Sequence, residues 1–157
     1  MLSYVKSILA GSIVAVTLAT SALAAGVDVN ATTTGLALRG YDPVSYFKAG
    51  EPQAGDINIT AEYKGATYRF ASEDNKKAFE ADPAHFAPQY GGFCAFGTAM
   101  GYKFDGDPKV WKIVDNKLYL NLSKAVSERW NEDVPGYVQT ANEKWTGIEF
   151  KNPGELQ

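Results

Sequence analysis

The sequence predicts an α+β fold, a small antiparallel sheet built from two β-hairpins with helices packed on it. Two segments, residues 57–70 and 110–122, each contain two β-rich runs separated by a tight-turn pair. The sequence has helix-start signals before and after these hairpins. Each signal is an Asp-Pro pair or a serine that precedes a polar turn. A chain of 157 residues is long enough for one core of this kind.

The first 24 residues have the pattern of a secretory signal peptide. Lys6 supplies a positive charge, residues 8–18 are apolar, and Ser21–Ala24 ends in a small-x-small cleavage pattern. The apolar run is shorter than the roughly 20 residues of a membrane span, although an uncleaved anchor is the alternative. We therefore expect a leader over residues 1–24, one domain over residues 25–157, and a periplasmic or secreted protein.

The charge balance disfavours nucleic acid as a partner. Removal of Lys6 with the leader leaves 14 basic residues against 18 acidic ones, a net charge of −4. Proteins that bind nucleic acid need a basic surface. After cleavage, no apolar run is long enough to hold the chain in a membrane.

The elements before the first hairpin are short. Residues 27–34 are small, polar and β-branched, which is typical of a loose arm or an edge strand. Asp42 and Pro43 predict the start of a short helix, because aspartate caps and proline fits the first helical position. Gly50 is expected to end this turn.

The first hairpin and the helix after it have the clearest local signals. Residues 57–63 alternate apolar and polar, Lys64-Gly65 marks a turn, and residues 67–70 return as the second strand. Ser72 is expected to cap a helix that ends near Ala81.

Asp82-Pro83 repeats the helix-start signal and predicts a helical turn through Phe86. Over residues 89–100, the spacing of Tyr90, Phe93 and Cys94 places these residues on one helical face. The glycines in that segment lower its helix propensity and suggest close packing.

The C-terminal third predicts a second hairpin and two helices. Residues 110–114 and 117–122 are strands around an Asp-Asn turn. Ser123 is expected to cap a helix to about Glu132, which Pro135-Gly136 breaks before a last helix over residues 137–145.

Several of these pieces together resemble the YHS domain, and exported bacterial members of that family carry pieces similar to residues 90–95 and 111–121. The resemblance implies a small α+β domain over about residues 41–90. The matching pieces are Tyr41-Asp42-Pro43-Val44, Tyr63-x-Gly65-x-x-Tyr68-x-Phe70-x-Ser72, Asn75-x-x-x-Phe79 and Asp82-Pro83-x-x-Phe86.

The family's metal-handling members, which include copper-transport ATPases, carry cysteines after the Asp-Pro-Val segment and around the end of the hairpin. Here those positions hold Ser45, Ala71 and Asn75. The resemblance therefore does not carry a metal site over to this chain.

Any soft-metal or thiol chemistry must start between Asp82 and Met100. This stretch holds the only histidine, His85, the only cysteine, Cys94, and Met100, the only methionine after the initiator. Thiolate, imidazole and thioether together suit copper, especially Cu(I). The candidate metal ligands are thus Cys94 with His85 and Met100, and the candidate ion is copper.

Two alternatives stay open. One is a Cys94–His85 dyad, which would need contact within about 3 Å and lacks an identifiable third group; we expect no enzyme. The other is a non-catalytic module without metal, in which Cys94 is buried and structural and the aromatic side chains line a site for a small apolar ligand or a protein partner.

Overall fold

The computed structural model describes residues 27–156, so the predicted leader, residues 1–24, lies outside the described residues. The α+β class is confirmed, with two antiparallel hairpins and helices packed around them. The strands are β1 (Asp56–Tyr63), β2 (Ala66–Phe70), β3 (Asp107–Val114) and β4 (Lys117–Asn121). The helices are α1 (Ser45–Lys48), α2 (Glu73–Ala81), α3 (Pro83–Phe86), α4 (Ala95–Ala99), α5 (Lys124–Trp130) and α6 (Val134–Ile148).

The first hairpin pairs β1 with β2 around Lys64 and Gly65. Both turn residues have left-handed backbone, with φ of 50° and 72°, which glycine adopts without strain. Alternate residues of β2 are fully buried, and Tyr68 packs on Phe79 of α2 with ring centroids 4.9 Å apart. The predicted hairpin is confirmed.

The two hairpins form separate two-stranded sheets, and the expected single sheet made from both is wrong. Irregular segments occupy one strand edge of each hairpin. Leu36 bridges Thr67 of β2, and Cys94 bridges Leu120 of β4. The second hairpin itself is confirmed, with Asp115 and Asn116 in its turn.

Predicted helix caps are confirmed at three helices. The hydroxyls of Ser72 and Ser123 accept backbone N–H groups of α2 and α5, and the Asp82 carboxylate does so for α3. The prediction for Asp42 is wrong, because α1 begins at Ser45 and the Asp42 carboxylate points into the core.

The helical interpretation of residues 89–100 is correct only for α4. Tyr90, Gly91 and Gly92 have φ of 55°, 62° and 86°, which ends any right-handed helix before Phe93.

The last helix is longer than expected. α6 begins at Val134 and passes through Pro135, because proline's missing N–H costs nothing in a first turn, and Asp133 accepts the N–H of Gly136.

Two hydrophobic clusters fill the interior. The first contains the hairpin β1–β2 with α1 and α2, around Tyr68, Phe70 and Phe79. The second lies under α6, around Trp130 and Tyr119. Ala87 belongs to the first cluster and Tyr90 to the second. The loop after α3, residues 87–91, therefore joins the two clusters. Across residues 27–156, no helix combines the length and apolar character that a membrane crossing requires.

Candidate functional site

Cys94 lies at the N-terminus of α4 with its side chain 1 % exposed. Its sulfur accepts the N–H of Gly97 at 3.4 Å, and its thiol faces the Asn121 Oδ1 at 3.5 Å. Burial raises the pKa of the Cys94 thiol, although backbone N–H groups of Gly97, Leu122 and Phe96 act in the opposite direction. The sulfur is therefore held as a neutral thiol near pH 7.

The other two candidate ligands have different surroundings. The His85 ring is half-buried between Phe47 and Phe86, at centroid distances of 4.8 and 4.5 Å. Met100 is 46 % exposed at the C-terminus of α4, whereas Cys94 is at its N-terminus. The five residues of α4 lie between them, and the six steps along the helix separate Cys94 from Met100 by about 9 Å along the axis.

Within residues 27–156, no group of three or more Cys, His, Asp and Glu side chains is arranged to hold a metal ion. The structure does not gather Cys94, His85 and Met100 around a common set of neighbours, and their role as copper ligands stays a prediction.

The positions where metal-handling relatives carry cysteine do come together, around the Asp42 carboxylate. Oδ2 of Asp42 accepts the Ala71 N–H at 2.8 Å and the Asn75 Nδ2 at 2.6 Å, and the Ser45 hydroxyl donates to the Asp42 carbonyl at 2.7 Å. Asp42 and Ser45 are fully buried. This hydrogen-bonded group uses the polar atoms at those positions internally, so the residues present do not fit a thiolate metal site.

One concave feature is a cleft between the first hairpin, the loop after α3 and helix α6. Its volume is about 260 Å³. We call it the Tyr68 cleft, after a residue on its wall. It is lined by Val29, Tyr63, Lys64, Tyr68, Ala84, Ala87, Pro88, Gln89, Tyr90, Gly91, Asn142 and Trp145.

Four aromatic side chains on two walls line the Tyr68 cleft. Tyr63 and Tyr68 belong to the hairpin wall, with ring centroids 6.4 Å apart. Tyr90 and Trp145 belong to the opposite wall, 5.8 Å apart. Rings supplied from both sides make a slot suited to a flat apolar group.

Each wall is fixed by contacts outside the cleft. Tyr68 is backed by Phe79 and 1 % exposed. The Tyr90 hydroxyl donates to Asn142 Oδ1 at 2.9 Å, which ties the loop after α3 to α6. Because both anchors lie in packed elements, the slot is preformed.

Charged groups at the rim balance one another. The Lys64 ammonium lies 3.9 Å from an Asp28 carboxylate oxygen and 3.6 Å from one of Glu149. The Lys103 ammonium is 5.1 Å from the centre of the Trp145 ring. Burial lowers the pKa of Lys103, and the carboxylates of Asp28 and Glu149 raise it.

The Tyr68 hydroxyl is a polar group of the wall that keeps a small accessible surface. Within residues 27–156, no hydrogen bond joins this hydroxyl to another residue, and burial raises its pKa above the ordinary value. It is thus a neutral donor at neutral pH, directed to a surface of the cleft.

Sequence reasoning did not identify this cleft. Its walls come from segments far apart in the chain, Tyr63 to Tyr68 on one side and Asn142 to Trp145 on the other. The signal that was present, an abundance of tyrosine and tryptophan, indicated a site for a small ligand without locating it.

The YHS domain family model matches residues 58–90. This segment is similar to a YHS domain. The match spans β1 from Asn58 through Tyr90, that is 33 of the 157 residues. No curated protein and no solved structure matches the chain.

The YHS match supplies most of the Tyr68 cleft, from Tyr63 at the hairpin turn to Tyr90. Residues beyond the match close it: Val29 of the N-terminal arm, Gly91, and Asn142 and Trp145 of α6. The cleft therefore lies where the YHS-like segment, residues 58–90, meets the rest of this chain.

Proposed function

We propose that this protein is a non-catalytic binding module that takes a small ligand in the Tyr68 cleft. The observation that carries the proposal is the slot itself, two pairs of aromatic rings facing a volume of about 260 Å³. Ligand pockets start at roughly 300 Å³, so the ligand is about the size of a single ring.

The test is to map small aromatic fragments by chemical-shift changes of backbone amides. We expect saturable changes at Tyr68, Gln89 and Gly91 with affinities in roughly the millimolar range, as suits so small a ligand. Changes confined to residues remote from the cleft would contradict the proposal.

A blocking variant makes the test specific. Ala84 is an exposed residue of α3 that lines the cleft, and Ala81 is an exposed residue at the end of α2 that does not. Ala84→Phe should abolish fragment binding by filling the slot, whereas Ala81→Phe should leave it unchanged. Equal binding by both variants would remove the cleft as the site.

A second proposal is soft-metal binding, copper first, through Cys94 with His85 and Met100 as companions. It is favoured by the backbone N–H groups of Phe96, Gly97 and Leu122, which face the sulfur and would stabilise a thiolate. Burial of that sulfur is the reason for ranking this proposal second. Titration with Cu(I) tests it: one equivalent lost in Cys94→Ala supports it, and retained copper places the metal elsewhere.

We also propose that the protein is exported to the periplasm or secreted after removal of residues 1–24. The support is the sequence pattern of Lys6, the apolar run and Ser21–Ala24. Mass spectrometry of protein made in an exporting host should give a chain that begins at Ala25. A chain that retains Met1 or Leu2 would contradict cleavage.

A further inference from the structure

The chemical class of the ligand follows from three features of the Tyr68 cleft, on the condition that the cleft binds a ligand as proposed above. These features are the charge at its rim, the hydrogen-bond donors on its walls and the arrangement of its rings.

The charges close to the cleft cancel. Lys64 and Lys103 carry two positive charges, and Asp28 and Glu149 carry two negative ones. The lysine at the rim already has two carboxylates within 4 Å, and neither a free cation nor a free carboxylate is left over within this group of four. A charged ligand would have to give up hydration without gaining an unpaired opposite charge.

Two polar side chains that line the cleft, Tyr68 and Asn142, have a donor without a partner among residues 27–156, whereas the Gln89 amide can donate or accept. The Tyr68 side chain is 1 % exposed and its hydroxyl has no partner within residues 27–156. Asn142 uses its Oδ1 to accept the Tyr90 hydroxyl at 2.9 Å, which directs its carbonyl away from a ligand and leaves its NH₂ group as a donor. Within residues 27–156, the fully buried side-chain polar atom without a partner is Trp130 Nε1, so the Tyr68 hydroxyl keeps some accessible surface, and a ligand oxygen can replace water as its acceptor.

The walls select a flat group. Aromatic rings belong to both walls, and those of Tyr63 and Trp145, which are only half-buried, keep surface that a ligand can contact. Aromatic faces pack best against another planar ring.

We infer that the Tyr68 cleft takes a neutral planar aromatic compound whose ring carries a hydrogen-bond acceptor oxygen, with the Tyr68 hydroxyl as the donor that recognises that oxygen. The walls supply the apolar contact, and the balanced rim excludes charged analogues of the same size.

Four probes with the same ring test the inference by separating charge from hydrogen bonding. They are benzamide, neutral with an acceptor oxygen; toluene, neutral without one; benzoate, an anion; and phenyltrimethylammonium, a cation. Affinities are measured by amide chemical-shift titration of the whole chain, residues 25–157. Benzamide should bind at least about fivefold more tightly than each of the others, as expected for one hydrogen bond to a buried donor.

Two variants test whether the preference for benzamide depends on the Tyr68 hydroxyl oxygen. Tyr68→Phe deletes only the hydroxyl and should weaken benzamide about three- to tenfold while leaving toluene unchanged. Tyr46→Phe also deletes a buried hydroxyl, one that donates to the Pro108 carbonyl at 2.8 Å away from the cleft, and should leave both affinities unchanged.

The outcomes distinguish this inference from the proposed function. Tightest binding by benzoate or by phenyltrimethylammonium, or equal binding of benzamide and toluene, would overturn the ligand class and leave the cleft as a binding site. No shift at the cleft with any of the four probes would overturn both.

Discussion

The Asp42 carboxylate accepts a 2.6 Å hydrogen bond from the side-chain amide of Asn75, which joins the segment before α1 to the first turn of α2. The same carboxylate accepts the backbone N–H groups of Val44 and Ala71, each at 2.8 Å. Asp42 is fully buried, and these three donors satisfy the hydrogen-bonding capacity that its carboxylate would otherwise lose on leaving water.

Replacing Asp42 with alanine should lower the free energy of unfolding by at least about 2 kcal/mol, because it leaves buried donors without an acceptor. Asp56 provides a matched control: it also accepts the N–H two residues later, that of Asn58 at 2.8 Å, but it is exposed. Asp56→Ala should cost less than about 1 kcal/mol, since water replaces the lost acceptor. Urea unfolding measures both, and similar losses in the two variants would contradict a burial-dependent role.

Gly91 packs against the N-terminal arm more closely than any side chain permits. A Cβ atom at this position would lie 1.8 Å from the Asp28 carbonyl oxygen, and its φ is +62°. Gly91→Ala should therefore displace residues 28–30 and reduce stability, and it should widen the cleft, to which Gly91 belongs.

Gly35→Ala separates the cost of a left-handed backbone from the cost of the close contact. Its φ is +78°, yet no atom lies within 4 Å of a Cβ built there, so Gly35→Ala pays only for the left-handed backbone, about 1–2 kcal/mol. Gly91→Ala should cost about 1–3 kcal/mol more, the usual range for overpacking. Equal unfolding free energies for the two variants would mean that residues 28–30 move away from position 91 without a loss of stability.

These particular residues also explain what the sequence could and could not predict. The hairpin at Lys64-Gly65 and the caps at Ser72 and Ser123 depend on the residues themselves and their near neighbours, so the pattern sufficed. The left-handed backbone at Tyr90 does not follow from local propensity, because it accompanies the contact of Gly91 with Asp28, which lies far away in the sequence.

In the candidate site, too, the residue types could be predicted from the sequence, whereas the long-range contacts could not. Composition alone identified Cys94, His85 and Met100 as the residues able to bind a soft metal. Whether the Cys94 sulfur faces solvent depends on the bridge of Cys94 to Leu120 of β4 and on its contact with Asn121. Neither contact can be predicted from the sequence around position 94. Likewise, the cleft needs α6 folded against the hairpin, and amphipathic spacing does not specify that pairing.

Alkaline pH should destabilise the protein in two steps. Burial raises the pKa of the Cys94 thiol and of the hydroxyls of Tyr46, Tyr68 and Tyr90. For an acid whose pKa is higher in the folded state, the folded protein binds more protons, so stability is complete below the unfolded pKa and falls as pH rises above it. The loss should begin near about pH 8.5 from the cysteine and steepen above about pH 10 from the tyrosines.

The free energy of unfolding, measured by urea titration from about pH 7 to pH 11, tests this order. Cys94→Ala removes the first step and should give a flat profile up to about pH 10. Tyrosinate absorbance should lag behind pH for the buried tyrosines, Tyr46, Tyr68, Tyr90 and Tyr119, until the chain unfolds. Stability that rises over this range, or an unchanged first step in Cys94→Ala, would contradict the assignment.

Lys103 holds the two ends of the described chain together. Its ammonium donates to the carbonyls of Val27 at 2.7 Å, Glu149 at 2.5 Å and Lys151 at 3.0 Å. The same ammonium lies 5.0 Å from the Phe93 ring centre, which adds a cation–π contribution. Lys103 is only 2 % exposed, and its ammonium is satisfied by three carbonyl acceptors and an aromatic face.

Lys103→Met keeps the length of the side chain and removes every donor. Charge-assisted hydrogen bonds contribute about 1.5–3 kcal/mol each, but relief of the buried charge and hydration of the freed carbonyls offset part of the loss. We expect a net loss of about 2 kcal/mol, together with faster amide hydrogen exchange confined to residues 27–30 and 149–152.

Lys109→Met is the matched control, because Lys109 is an exposed lysine of β3 and its replacement should change stability by less than about 0.5 kcal/mol. If Lys103→Met accelerated exchange evenly across both hydrophobic clusters, the lysine would support the whole core and not the junction of the termini. If neither stability nor exchange changed, the three carbonyls would be satisfied by water, and the arm would be held by its other contacts, which include the hydrogen bond from the Asn30 N–H to the Gly91 carbonyl.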